Sequence, residues 1–198
     1  ELDREGLQYE KPGNLAAEVA SRVNQGKVIA RFSGRMEYGP RALGNRSILY
    51  HAREPEVNHW LNQRLGRTEF MPFAPVTLWE ARHRCYENCG GAEHAAQFKT
   101  ITFDCTDWMV KTCPAAVHVD DTARPQLVRK EVSPEYYAIV EEYEKLSGIP
   151  TLINTSFNMH EEPIVCTPKD AIRAFLKGHL DVLAIGSLLV EHPDPKPV

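Results

Sequence analysis

The sequence predicts an α/β or α+β fold in which helices flank a mixed, twisted sheet. Helical and strand-like patterns alternate along the 198 residues, as expected when a sheet is covered by helices. The composition, 42% hydrophobic and 25% charged, is that of a globular protein large enough to bury a core. This length fits one domain, so residues 1–198 are expected to form a single domain with a frayed tail at about 192–198.

Four segments predict helices, because apolar residues recur at helical spacing between a capping or turn residue and a glycine. Three of the segments carry a proline in the first turn, where its missing N–H is tolerated. In chain order the segments are NLAAEVASRVNQG (14–26), EPEVNHWLNQRLG (54–66), SPEYYAIVEEYEKLSG (133–148) and TPKDAIRAFLKG (167–178), with Asn14, Ser133 and Thr167 as caps and Gly26 and Gly148 as stops.

Nine short segments are strand-like and are bounded by turn residues. The third contains Pro75, which interrupts its pattern. Pattern alone does not give the order of the strands in the sheet. The segments are KVIARF (27–32), SILYHA (47–52), FAPVTLW (73–79), ITFDCTD (101–107), AAVHVD (115–120), PQLVRK (125–130), IPTLIN (149–154), LDVLAIG (180–186) and SLLVE (187–191).

The charge balance limits the classes of partner. With a net charge of −4 the chain has no overall basic field to recruit nucleic acid, so nucleic acid is not expected and an anion site has to be local. No stretch approaches the roughly 20 apolar residues that a membrane span needs, so no membrane contact is expected. The chain begins with Glu1 rather than Met, which predicts that it is a fragment of a longer protein.

The cysteines indicate a reducing environment. An odd count of five at irregular spacing argues against a disulfide framework and favours a cytoplasmic location. Cys85 and Cys89, close to His83 and His94, form the one metal-like cluster. Because zinc ribbons need two tight cysteine pairs and the second is missing, core or surface thiols are favoured and no metal is expected in this chain.

A glycine-rich loop, GRMEYGPRALGNRS (34–47), carries Arg35, Arg41 and Arg46. From Arg31 through Arg67 there are seven arginines and no lysine. A planar guanidinium pairs with phosphate or carboxylate through two hydrogen bonds, so this bias favours an anion site. A surface loop with ordinary salt bridges is the alternative. The GxxxxGK[ST] spacing of a Walker A loop is absent.

The segment RLGRTEFMPFAP (64–75) supplies two more arginines. Arg64 and Arg67 are three residues apart and share a face if the preceding helix continues that far. Phe70 and Phe73 form either core or an apolar wall beside a nucleobase, and core is the safer assignment for both.

Two later loops carry further polar side chains. HVDDTARPQ (118–126) places His118, Asp120 and Arg124 after a predicted strand, where functional residues often lie. A solvated β-turn capped by aspartates explains the same residues equally well.

NTSFNMHEEP (154–163) follows a predicted buried strand directly. In an open α/β sheet ligands bind at that end of a strand, so the amides and hydroxyls of this loop suit a triphosphate, a ribose or a small acyl group. Turns closed by Asn and Ser side chains are the alternative without a ligand. The candidate residues are Asn154, Thr155, Ser156 and Asn158.

No convincing nucleophile accompanies these loops, since both the GxSxG and the HExxH motifs are absent. The four loops together suit a site that positions anions and does not attack them. Phosphoryl and nucleotidyl transfer require positioned positive charge and little covalent chemistry from the protein.

Five motifs in register resemble one family: GRMEYGPRALGNRSIL, FMPFAP, HVDDTAR, NTSFN and EEPIVCTPKDAIRAF. The chain looks like the C-terminal domain of the O-carbamoyltransferases of nodulation-factor, cephamycin and tobramycin-type biosynthesis. The resemblance implies a YrdC-like fold that binds ATP and carbamoyl phosphate and forms carbamoyl adenylate with release of pyrophosphate. It also implies a separate N-terminal domain that holds iron through histidines and passes the carbamoyl group to a hydroxyl acceptor.

Carried over by motif, Arg41 and Arg124 contact phosphate, while Asn154 and Ser156 hold the adenylate or the carbamoyl group. We therefore expect Arg41, Arg124 and Ser156 to be the catalytic residues and Mg²⁺ to shield the phosphates of ATP. A wider set is expected to bind nucleotide or phosphate, comprising Arg35, Arg41, Arg46, Arg64, Arg67, His118, Asp120, Arg124, Asn154, Thr155, Ser156 and Asn158.

The chain departs from the family pattern where charge is concerned. Many relatives read KxRExFRPFAP, with a lysine where Leu65 stands and an arginine where Met71 stands. Arg67 matches the first arginine of that pattern, and Arg64 is near enough to compensate for the lost charge. Asp121 and Glu161 replace glycines of HVDGTAR and GEPIV.

Two other classes of function stay open at this point. The first is a non-catalytic YrdC-like module that binds a nucleotide or RNA. The second is a regulatory or scaffolding domain whose arginines make only salt bridges. A homodimer is compatible with either.

Overall fold

A mixed seven-stranded sheet forms the centre of the computed structural model, which describes residues 1–66 and 72–194. The strands are β1 (Ile29–Phe32), β2 (Arg46–His51), β3 (Pro75–Leu78), β4 (Phe103–Asp104), β5 (Thr122–Ala123), β6 (Gln126–Val128), β7 (Thr151–Ser156), β8 (Val182–Ile185) and β9 (Leu188–Glu191). The helices are α1 (Leu15–Asn24), α2 (Val57–Arg64), α3 (Arg82–Cys85), α4 (Glu93–Ala96), α5 (Asp107–Thr112), α6 (Pro134–Ser147) and α7 (Pro168–Lys177).

The strand order in the main sheet is β6-β3-β7-β2-β1-β8-β9, and β4 pairs with β5 in a separate ribbon. β3 pairs in parallel with β6, and β1 with β8, while the other neighbours are antiparallel. β1, β2 and β3 are buried along their whole length, as expected for strands covered on both faces. The mixed α/β fold class predicted from the sequence is confirmed.

The strand directions bring the polar loops to one end of the sheet. β7 runs antiparallel to both β2 and β3, so its last residues lie beside the first residues of those strands. Ser156 pairs with Ser47, and Ile153 pairs with Pro75. β6 starts beside the start of β3 in parallel. The residues immediately before β2, β3 and β6 therefore meet the loop that follows β7.

Helix packing supplies most of the core around the sheet. α1 packs on α6 through fully buried side chains such as Val19 and Val23 on α1 and Val140 and Tyr143 on α6. α7 packs on β8 and β1. Burying such aliphatic and aromatic side chains contributes about 1.5–3 kcal/mol each, so this layer supplies a large share of the stability. No helix within the described ranges combines the length and the apolar character needed to cross a lipid bilayer.

The predicted helix caps are largely confirmed. The Asn14 side chain accepts a hydrogen bond from the Ala17 amide at 3.1 Å. Thr167 and Asp170 bond reciprocally in a capping box at the start of α7. Gly148 closes α6 with φ 74°, a left-handed conformation that favours glycine. Ser133 precedes α6, but its side chain makes no capping bond.

Three segments differ from the sequence prediction. Residues 115–120 are not a strand: a 3₁₀ turn at Pro114–Ala116 leads into a turn in which side chains bond to neighbouring backbone. Residues 101–107 give only the short β4, because Thr106 caps α5 by accepting from the Met109 amide at 3.2 Å. Pro55 lies two residues before α2 and not in its first turn.

Residues that replace family glycines adopt backbone conformations typical of glycine. Asp121 has φ 58° and Glu161 has φ 61°. Asp tolerates the left-handed region better than Glu does, so the strain is greater at Glu161. Glu161 is exposed and has no hydrogen bond or ion pair within the described structure that could offset this strain.

We predict that Glu161→Gly raises the free energy of unfolding by about 1 kcal/mol, because the positive φ no longer costs side-chain strain. Urea denaturation of the wild type and the variant measures the difference. Glu161→Ala is the control: it removes the same carboxylate but keeps a Cβ, so its stability should stay near that of the wild type. Equal gains in both variants would assign the effect to charge and not to the backbone.

Gly44, in the loop before β2, is a second position that requires glycine. Its φ is 123°, and a Cβ there would lie 2.4 Å from Cδ1 of the buried Tyr136 ring. Tyr136 is fully buried in α6 and has no room to move away.

Gly44→Ala is therefore expected to lower the free energy of unfolding by about 3 kcal/mol, combining overpacking with backbone strain. Gly39→Ala is the matched control, because Gly39 has φ 115° but open space around its Cα. That control should lose only about 1 kcal/mol in the same denaturation experiment. Similar losses in the two variants would show that the Tyr136 contact does not fix the loop.

Candidate functional site

The glycine-rich loop before β2 is organised around one carboxylate. Oε1 of Glu37 accepts hydrogen bonds from the backbone amides of Leu43 and Asn45, both at 2.7 Å, and of Arg46 at 3.2 Å. Arg31 on β1 donates to the carbonyl of Gly44 from the other side. These bonds close residues 37–46 into a turn, and they fix the position of the Arg41 backbone within it.

The three arginines of this loop have different surroundings. Arg46 is buried, stacks on the Phe32 ring with its Cζ 3.7 Å from the centroid, and donates to the carbonyls of Ser33 and Gly34. Its guanidinium holds the loop in place and lies outside the cavities described below. Arg35 is exposed and also lies outside them. Arg41 is the one that projects into them.

Asn154, at the end of β7, connects the loops to one another. Its Nδ2 donates to Oε1 of Gln126 at 2.8 Å, and Gln126 in turn donates to the carbonyl of Leu43 at 2.7 Å. The backbone carbonyl of Asn154 accepts a hydrogen bond from Nζ of Lys99 at 2.8 Å, and the backbone N–H of Asn154 donates to the Ala74 carbonyl at 2.9 Å. Four segments that are distant in sequence are thereby fixed at one point.

Two adjoining cavities lie at this point. The inner cavity, of about 80 Å³, has room for a small polyatomic group but not for a nucleotide. The outer cavity, of about 450 Å³, falls within the range of small-molecule sites, roughly 300–1,000 Å³. The two share Pro40, Arg41, Lys99 and Arg124 as walls; the inner one is completed by Ala42, Pro72, Ala74, Asn154, Thr155 and Ser156, and the outer one by Tyr38, Gly39, Leu43, Phe98 and Thr100.

Positive charge without a counter-ion is the main electrostatic feature of both cavities. Within the described structure, neither Arg41 nor Arg124 forms an ion pair or donates a side-chain hydrogen bond, and Nε of Arg124 is buried without a partner. Burial lowers the pKa of Arg124, and the nearby charge of Arg41 lowers it further, although an arginine stays protonated in proteins. An anion placed between these guanidinium groups would satisfy both of them.

Lys99 adds a third cation to the same walls. It is fully buried, and this burial lowers the pKa of its ammonium to about 7, with a smaller lowering by the charges of Arg124 and Arg41. Glu37 opposes the shift. The backbone of Lys99 is in the left-handed region, with φ 56°. Sequence reasoning missed this residue, although it is the lysine that ends the lysine-free stretch.

The end of β7 presents hydroxyl and amide groups to the inner cavity. Asn154, Thr155 and Ser156 all line it. The Ser156 hydroxyl donates to Oδ1 of Asn158 at 2.6 Å, and no histidine or carboxylate hydrogen-bonds to this hydroxyl in the part of the chain that the structure describes. Within the described structure, Ser156 therefore lacks the base that an activated nucleophile needs. Asn158, which accepts from Ser156, is itself held in place because its Nδ2 donates to the carbonyls of Met159 and Glu162.

Several candidate residues from the sequence lie elsewhere. Arg64 forms a buried ion pair with Asp181 at 3.3 Å, so it does not supply charge to the cavities. His118 and Asp120 hydrogen-bond to Thr122 within their own turn, at 3.0 and 2.8 Å. Those two bonds stabilise the turn that precedes Arg124. Phe73 is core, as expected, while Arg67 and Phe70 fall outside the described residues.

Cys85 and Cys89 are buried, and Sγ of Cys89 lies 3.5 Å from Nδ1 of His83. Across residues 1–66 and 72–194, no three His, Cys, Asp or Glu side chains are grouped so that they could hold a metal ion. Burial raises the pKa of Cys85 to about 11, so this thiol stays protonated and is a poor ligand.

A larger groove of about 600 Å³ lies apart from these loops, between α1, α6 and the turn that joins β8 to β9. Its one arginine, Arg31, is already paired with Glu135 at 3.3 Å. The remaining walls are largely apolar. Because its cation is satisfied, this groove is a weaker candidate for an anion than the smaller pair of cavities.

Comparison with known proteins identifies the family. The model of the carbamoyltransferase C-terminus family matches residues 20–192. The uncharacterized protein MJ1058 of Methanocaldococcus jannaschii is 38% identical over 190 residues, which cover 95% of this chain and 30% of that protein. Nodulation protein NolO of Bradyrhizobium diazoefficiens is 36% identical over 185 residues, covering 93% of this chain and 34% of that protein.

A solved structure supports the fold assignment. Full-length HypF in its phosphate- and nucleotide-bound form superposes with a TM-score of 0.64 at 19% identity, over 91% of this chain and 26% of that chain. The sheet is thus YrdC-like, as expected. The chain spans about a third of the length of the curated relatives it matches first. Since the family model covers most of its residues, the chain belongs to the carbamoyltransferase C-terminus family.

Proposed function

We propose that this chain binds ATP and carbamoyl phosphate and forms carbamoyl adenylate, the activated carbamoyl donor of a carbamoyltransferase. The observation that carries the proposal is the meeting of Arg41, Arg124 and Lys99 on two adjoining cavities without a carboxylate partner in the described structure. Lys99 is buried and Nε of Arg124 is buried without a partner, and an anion held between these groups and the exposed Arg41 would offset the cost of burying them.

The sizes of the two cavities suit two different ligands, the carbamoyl group in the inner cavity and the nucleotide in the outer one. The inner cavity, lined by the amide and hydroxyls of residues 154–156, fits the carbamoyl group and its oxyanion. The outer cavity fits the nucleotide, and the ring of Phe98, 43% exposed at its wall, offers a stacking surface for the base. Tyr38, fully exposed on the opposite loop, offers a second one.

The chemistry requires two balanced steps. Water cleaves carbamoyl phosphate to carbamate and inorganic phosphate. A carbamate oxygen then attacks the α-phosphorus of ATP, the bond from that phosphorus to the leaving oxygen breaks, and pyrophosphate departs. Arg41 and Arg124 stabilise the negative charge that develops on the transferring and leaving phosphates, and Ser156 orients the carbamoyl group.

Mg²⁺ is the metal that this reaction would use, because it neutralises the phosphates of ATP. The described part of the chain offers no carboxylate cluster to hold it, which fits a cation carried mainly by the nucleotide phosphates and water. No residue of this chain is assigned to it.

The longer protein would complete the reaction. A separate N-terminal transferase domain that holds iron through histidines is proposed to pass the carbamoyl group to a hydroxyl acceptor. All five cysteines are free thiols, and four are wholly or partly buried, which supports a reducing, cytoplasmic location.

A non-catalytic nucleotide-binding module is the second candidate, favoured by Ser156 having no activating base in the described structure. Exchange of labelled pyrophosphate into ATP separates the two functions. We expect the chain, given Mg²⁺ and ATP, to incorporate label only when carbamoyl phosphate is added. Nucleotide binding without exchange, in this chain and in the longer protein alike, would favour the binding module, and absence of nucleotide binding would contradict both.

Arg41→Ala should weaken ATP binding about 10- to 100-fold, the equivalent of losing a charge-assisted contact of about 1.5–3 kcal/mol. Its melting temperature should hardly change, because the side chain is exposed and has no protein partner in the described structure. Calorimetric titration with ATP and a thermal melt measure the two effects.

Arg35→Ala is the matched control for that experiment, since Arg35 lies on the same loop, carries the same charge and lines neither cavity. Its affinity for ATP should stay within about twofold of the wild type. A large fall in the melting temperature of Arg41→Ala, with the ATP affinity unchanged, would show that Arg41 is structural.

A further inference from the structure

Lys99 is buried with few partners for its ammonium, which is unusual for a lysine that serves only the structure. The residue is 4% exposed, and its Nζ makes one hydrogen bond, to the Asn154 carbonyl at 2.8 Å. An ammonium has three N–H donors, so two of them have no acceptor within the described structure. No carboxylate forms an ion pair with it there.

The surroundings of Lys99 disfavour its charge. Arg41 and Arg124 share the cavity walls with it and repel the ammonium, whereas Glu37, the one carboxylate of the described residues that attracts it, is occupied by three backbone amides. The other described groups around the inner cavity are the neutral side chains and backbone of Pro40, Ala42, Pro72, Ala74, Asn154, Thr155 and Ser156. A backbone with φ 56° adds strain at the same residue.

Two positions where the family pattern carries positive charge, those of Leu65 and Met71, are uncharged in this chain. Leu65 is fully buried and apolar, and Arg64 is paired with Asp181. Lys99, from a different segment of the chain, adds a cation to the inner cavity beside Arg41 and Arg124.

We propose that the Lys99 ammonium directly contacts the small oxyanion in the inner cavity, either the phosphate of carbamoyl phosphate or the carbamate derived from it. The two free N–H donors of Nζ are directed to oxygens of that anion, and the third stays on the Asn154 carbonyl. This assignment rests on the proposed function for the identity of the anion, but not for the presence of an anion.

Proton uptake follows from this arrangement. Without an anion, burial holds the pKa of Lys99 at about 7, so much of the amine is neutral at slightly alkaline pH. A bound anion favours the ammonium and raises that pKa, so binding above pH 7 takes up a proton. By linkage, affinity falls as pH rises above 7, approaching tenfold for each pH unit until the pKa of the complex is reached.

Sulfate is a suitable probe, because it does not titrate between pH 6 and 10, so any proton taken up from the buffer must be bound by a protein group. Calorimetric titrations at pH 8 in two buffers of different ionisation enthalpy count that proton. We expect an uptake approaching one proton for the wild-type chain, and displacement of sulfate by carbamoyl phosphate. Binding without proton uptake, or no binding, would overturn the proposal without the need of a variant.

Lys99→Met should reduce sulfate affinity at least tenfold at pH 7 and remove both the proton uptake and the dependence on pH. Lys111→Met is the matched control, because Lys111 is exposed on α5 and its loss changes the net charge equally. Unchanged sulfate binding by Lys99→Met would also overturn the proposal.

The stability of Lys99→Met distinguishes a ligand contact from a structural role. A lysine with a lowered pKa in the folded state destabilises the free protein below that pKa, and the penalty fades as pH rises from about 7 towards 10.5. Lys99→Met should therefore melt at a higher temperature than the ligand-free wild type at pH 6, with a smaller advantage at pH 9. A lower melting temperature at both pH values would assign Lys99 to the core.

If pyrophosphate exchange is absent but sulfate binding retains its Lys99-dependent proton uptake, the proposed function fails and the anion site stands. If exchange occurs and Lys99→Met preserves both sulfate binding and exchange, the proposed function stands and the assignment of Lys99 to the anion fails.

Discussion

The hydrogen bonds of Asn154 hold the candidate site together. One amide side chain and its backbone fix Gln126, Lys99 and Ala74, and through Gln126 they also fix the glycine-rich loop at Leu43. Each bond contributes about 1 kcal/mol net. Breaking one costs more, because it leaves a buried polar group without a partner. Oδ1 of Asn154 remains buried without a partner in the described structure, so this node still has capacity for a ligand donor.

The candidate site has features that lower the stability of the folded chain. Three cations share one pair of cavities, and one of them, Lys99, has a strained backbone with φ 56°. Other buried arginines have partners in the described structure: Arg64 pairs with Asp181, Arg31 pairs with Glu135, and Arg46 donates to backbone carbonyls. Arg41 and Arg124 have no such partners there, which is why we propose that an anionic ligand supplies the interactions.

Local rules were enough to predict the parts of the fold that depend on local chemistry. Asn14 and Thr167 cap their helices because the residues that they bond lie three positions away. Arg124 and Asn154 stand at predicted strand ends and the family motif adds Arg41, so the grouping of these three residues was also predictable. The strand predicted at 115–120 was wrong, because Pro114 and the polar side chains that follow favour turns over a sheet ladder.

Contacts distant in sequence explain what was not predicted. Lys99 becomes part of the site through a bond to a residue 55 positions away, and Arg64 is withdrawn from it by Asp181, 117 positions away. Arg46 looked like its neighbours in the glycine-rich loop, yet the Phe32 ring and nearby carbonyls fix it as a structural residue. Composition and spacing carry no signal for such pairings, because they depend on how the finished sheet brings the loops together.

The central claim is that the unpaired cations at the end of β7 bind an oxyanion. Crystals of the chain soaked with tungstate, whose anomalous scattering locates the anion directly, test it most simply. We predict a tungstate in the inner cavity with its oxygens about 2.7–3.2 Å from the guanidinium groups of Arg41 and Arg124 and from Nζ of Lys99. Tungstate bound only in the groove beside Arg31, or in neither place, would contradict the account.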